Sequence, residues 1–60
     1  MSRFGLEIGD RVIHIHKGWI GIVADFHKRN NGVMVNLSSE RGIRFRWIDY
    51  RNLEKIDDDV

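Results

Sequence analysis

Cysteine and proline are both missing from the 60 residues. Without cysteine there is no disulfide framework and no thiolate zinc site to staple a small fold, and the redox compartment leaves no trace. A chain this short buries only about 60% of its unfolded surface. Its stability must therefore come from a well-formed core or from self-association. Long apolar runs are missing too. The longest, residues 19–24, is interrupted by Gly21 and is far too short to cross a membrane. The opening Met-Ser-Arg-Phe-Gly has no apolar signal region, so a cytoplasmic protein with no membrane partner is expected. No stretch of ten residues keeps a helical period. A large self-contained enzyme is excluded by size alone.

What is present is 42% hydrophobic residues and 32% charged ones, enough apolar content for a core. The net charge of +1 conceals an asymmetry. Asp57, Asp58 and Asp59 form an acidic tail over residues 57–60. Residues 1–56, read as a single domain, carry ten basic and six acidic side chains, a surplus of four. A basic body of this kind suits an anionic partner.

Six glycines, at 5, 9, 18, 21, 32 and 42, cut the chain into strand-length pieces. Strands are predicted over 11–16, 20–26, 33–37, 43–47 and 53–56. Gly21 inside the second marks a bulge or a close backbone approach. Asn30-Asn31-Gly32 supplies left-handed residues for a hairpin, and 38–42 forms a second hairpin loop. Residues 49–52 read as one tight 3₁₀ turn. In the fourth strand Ile43, Phe45 and Trp47 alternate with Arg44 and Arg46, which predicts three core residues backed by two outward arginines. In the first two strands the apolar residues fall on both faces, so Val12/His14 compete with Ile13/Ile15 for the core, and Ile20/Ile22/Ala24 with Gly21/Val23. Five short strands joined by turns predict an all-β sheet that curls into a small barrel.

Catalytic patterns are sparse. The hydroxyls are Ser2, Ser38, Ser39 and Tyr50, none with a histidine nearby in sequence. Ser38 and Ser39 read as turn residues, and Phe4 and Tyr50 as closing the barrel ends. His14 and His16 share a strand face and His27 follows the next strand, but their spacing brings no orienting carboxylate. No metal or cofactor is expected.

The residues Gly9-Asp10-Arg11-Val12 and Lys17-Gly18-Trp19-Ile20-Gly21-Ile22-Val23 resemble the opening of a KOW module. The stretch Ile43 to Ile56, ending Trp47-Ile48-Asp49-Tyr50-Arg51-Asn52-Leu53-Glu54-Lys55-Ile56, resembles the close of the same barrels, of the KOW and Tudor-like kind. The likeness covers residues 5–56. It implies a five-stranded SH3-like barrel with a single 3₁₀ turn before the last strand. Such modules bind RNA, DNA, ribosomes, RNA polymerase or peptides. The layout is also similar to plasmid-type (type II) dihydrofolate reductase. That family's Val-Gln-Ile-Tyr strand falls on Phe45, Arg46, Trp47 and Ile48, so its glutamine and tyrosine are absent, and no enzyme is expected.

The candidate binding set is Lys17, Trp19, Lys28, Arg29, Asn30, Arg44 and Arg46. Cations neutralise phosphates, an exposed tryptophan stacks on a base, and an asparagine hydrogen-bonds base edges or phosphates. The expected function is a non-enzymatic module that binds nucleic acid, RNA or DNA, with little sequence preference. The alternative is a protein-interaction module that docks on the transcription or translation machinery through Trp19, Phe26 and the histidine-bearing strand. A homo-oligomer is compatible with either.

Overall fold

The computed structural model describes residues 2–39 and 42–56. The acidic tail and Glu40 lie outside them. Among the described residues seven strands form: β1 (Ser2–Arg3), β2 (Leu6–Glu7), β3 (Arg11–His14), β4 (Ile20–Phe26), β5 (Gly32–Ser39), β6 (Gly42–Asp49) and β7 (Leu53–Lys55). Strands β3 to β7 make one antiparallel sheet in the order β6-β5-β4-β3-β7. A 3₁₀ turn, Tyr50–Asn52, precedes β7. The fold is all-β, and none of the described residues is in an α-helix.

The five main strands fall where the glycine spacing placed them. The backbones of Ser38 and Ser39 continue β5 rather than leaving it as a loop. The hairpin β1–β2 has no sequence pattern to announce it. Its two-residue turn is Phe4-Gly5, with φ of 59° and 76°. Two consecutive left-handed residues are what a type I′ hairpin requires. Phe4 is held in that unfavourable region by its ring, which stacks on Tyr50 at 4.2 Å and meets Phe26 edge-on.

The core consists of Leu6, Val12, Val23, Phe26, Val33, Val35 and Ile48, with Phe4, Leu37, Tyr50 and Leu53 packed around it. Its register settles the competition in the first strands. Val12 pairs with Gly21 on the core face, while Ile13 and Ile20 pair on the other. A shift in the β4–β5 pairing between Val23 and Asp25 marks a bulge at Ala24. The extra residue lets Val23 and Phe26 share the core face despite their odd spacing.

In β6 the structure reverses the predicted faces. Ile48 pairs with Val33, Arg46 with Val35 and Arg44 with Leu37. Directly paired residues share a face, so the two arginines lie on the valine side. Ile43, Phe45 and Trp47 project from the opposite face and are 68%, 56% and 50% exposed. Counting apolar residues alone favoured three large side chains over one. The pairing favours Ile48, because it is the residue set against the buried Val33.

Candidate nucleic-acid interface

The loop between β3 and β4 is built around His14. This ring is only 9% exposed. Its Nδ1 accepts the backbone N–H groups of both His16 and Lys17, at 3.1 Å each. The ring proton of the neutral form therefore sits on Nε2. The backbone closes the same loop, with the His14 N–H donating to the Trp19 carbonyl and the Gly18 N–H to the His14 carbonyl. His14 then meets Trp19 edge-on, with ring centroids 5.4 Å apart.

Trp19, 36% exposed, carries cations over its ring. The Arg46 guanidinium lies 5.1 Å and the Lys17 ammonium 5.8 Å from its centroid. Each contact contributes about 0.5–1 kcal/mol at a partly exposed site. Arg44 stands two residues before Arg46, on the same face and toward the end of the sheet where β4 begins.

Lys28, Arg29 and Asn30 are elsewhere. They follow the far end of β4, about 20 Å from Trp19 along a seven-residue strand. They border two shallow depressions on either side of Trp47, of about 390 and 370 Å³. His27 packs edge-on against Trp47 at 5.2 Å. The Asn30 side-chain oxygen accepts the Gly32 N–H at 2.7 Å and so shapes the turn. Asp25 and Asp49 line these depressions, which dilutes the positive charge there.

The seven predicted site residues thus divide into a cluster of Lys17, Trp19, Arg44 and Arg46 and a separate group of Lys28, Arg29 and Asn30. Among the described residues, Lys17, Lys28, Arg29, Arg44 and Arg46 form no ion pair, whereas Arg51 pairs with Asp49 and Lys55 with Asp10. Arg51 bonds the Asp49 carboxylate through its side chain and backbone N–H, holding it below the ordinary value of 3.8.

Sequence reasoning missed the role of His14 as an acceptor for the loop and the seating of Arg46 on Trp19. The second was hidden by the reversed faces of β6. Two elements of the protein-docking surface are unavailable, since Phe26 is 7% exposed and His14 is buried. The three histidines do not converge. Nδ1 of His27 accepts the Arg29 N–H, and no group of three metal-binding side chains occurs among the described residues. Comparison of the chain with family models, with curated proteins and with solved structures finds no match.

Proposed function

We propose that the protein is a small non-enzymatic module that binds single-stranded nucleic acid with little sequence preference. The reading rests on Trp19, a partly exposed ring flanked by Lys17 and Arg46, neither of which has a carboxylate partner among the described residues. Unpaired cations attract phosphates, and the ring gives any base a surface to stack on. Single strands are favoured because their bases are free to stack, and the described residues include no α-helix to enter a major groove. The strand order and the 3₁₀ turn before the last strand support an SH3-like barrel as the scaffold.

The test uses Trp47→Phe, so that Trp19 alone reports by fluorescence. Titration with oligo(dT) and oligo(rU) should quench it. If Lys17, Arg44 and Arg46 each neutralise one phosphate, the log–log salt slope is about −2 on a single strand. Trp19→Ala should weaken binding by about 1–3 kcal/mol. The double substitution Lys17→Glu and Arg46→Glu should abolish it with the circular dichroism unchanged. Binding that ignores salt, or that survives loss of Trp19, rejects the proposal.

A further inference from the structure

The face of the sheet opposite the core is itself apolar. Ile20 and Ile22 on β4 and Ile43, Phe45 and Trp47 on β6 are each between 39% and 68% exposed. They are not scattered. Ile22, Asn36 and Phe45 form one row across three strands, and Met34 beside Trp47 forms the next. Ile20 stands against Ile13 on β3. Together the five exposed side chains leave on the order of 500 Å² of apolar surface in water, at the upper end of what a monomer exposes.

We propose that this face is the interface of a homodimer, in which two copies pack sheet against sheet. The area fits. Each partner in a standard complex buries about 800 Å², and homodimer interfaces are about 65% apolar, which calls for about 500 Å² of apolar surface per copy. Two sheets pack at about 10 Å with their strands about 30° apart, an arrangement open to sheet faces that carry side chains of this size.

Asn36 is the second observation. It sits in the middle of the apolar face, and its Oδ1 is buried with no hydrogen-bond partner. A buried carbonyl left unpaired is unfavourable. In a symmetric dimer, residues on the two-fold axis meet their own copies. An axis lying between the sheets and passing over Asn36 brings its amide to the amide of the second copy. Oδ1 is covered within the single chain, so each amide has to turn outward to meet its copy, where it has an N–H to donate and an oxygen to accept. The Trp19 cluster lies on the other side of the sheet and stays accessible in this arrangement.

The test is sedimentation velocity on the full chain from about 5 to 500 µM. The wild type should sediment at twice 7.1 kDa. Phe45→Glu and, separately, Ile20→Lys should each weaken association at least about tenfold with unchanged circular dichroism, and oligonucleotide binding by Trp19 should persist. Both positions are more than half exposed in the single chain, so neither substitution disturbs the core, and either variant decides if the other fails to fold. A wild type that stays monomeric at the highest concentration overturns the proposal. So does a dimer that withstands both substitutions, which would mean that another surface holds it.

Discussion

Gly21→Ala isolates a single steric fact. Gly21 lies in the middle of the sheet, where an added methyl carbon would meet Val35 Cγ1 at 2.5 Å, the Asn36 carbonyl oxygen at 2.6 Å and Leu37 Cδ2 at 2.9 Å. Two of these atoms belong to side chains packed into or against the core, and the third is ladder backbone. None can withdraw without opening the β4–β5 pairing. Overpacking a well-filled interior costs about 1–3 kcal/mol, and an obstructing carbonyl places this case near the upper figure. A 60-residue domain has only about 3–9 kcal/mol in total. At about 4–8 °C per kcal/mol, the thermal midpoint should fall by about 12–24 °C. The control is Gly18→Ala, which meets nothing within 4 Å but stands at φ 75°. It should lose only the left-handed penalty, about 1–2 kcal/mol. Melting followed by circular dichroism at one fixed protein concentration separates the two. A Gly21→Ala protein that melts within about 3 °C of wild type would refute the close approach of β4 and β5, and with it the core register built on that approach.

Other outcomes follow from the same structure. His14→Leu keeps the ring's volume approximately but leaves the His16 and Lys17 N–H groups without their acceptor. Urea titration should show a loss of about 1–2 kcal/mol, and oligonucleotide affinity should fall as Lys17 loosens. Asp49 titrates below its ordinary value because Arg51 bonds its ionised form. A depressed carboxylate stabilises the fold above its unfolded value, near pH 4, and this contribution disappears as the pH falls through the folded value. Wild-type stability should therefore drop more steeply below pH 4 than that of Asp49→Asn, as urea midpoints measured from pH 5 to pH 2 would reveal. Equal slopes would show that the Asp49–Arg51 pair does not form in solution.

The sequence made the five strands of the main sheet, the order of their turns and the 3₁₀ turn legible, because glycine positions and period-two alternation are local signals. Strand 20–26 and the turn after Asp49 needed no tertiary information. The faces of β6 did need it. Alternation states which residues share a side but not which side is inward, and that depended on Val33 lying opposite Ile48. The bulge at Ala24 is equally invisible locally, since it exists only in the comparison of two strands. The cationic residues were picked out from charge alone. Their division into a Trp19 cluster and a Trp47 group was not, because it depends on the strand length between Trp19 and Lys28 and on the faces of β6. The β1–β2 hairpin went unseen because its left-handed turn begins with phenylalanine, a residue that gives no turn signal.

The irregularity at Ala24 has a consequence for how this chain tolerates change. Strand β4 is in effect written in two reading frames, one that shows Ile20 and Ile22 to the outside and one that delivers Phe26 to the inside, joined at a single alanine. Deleting that alanine would leave Val23, Asp25 and Phe26 opposite Val35, Met34 and Val33 in unbroken alternation, so the ladder would straighten with the phenylalanine still turned inward. The chain can therefore shorten by one residue at this point and keep its interior filled.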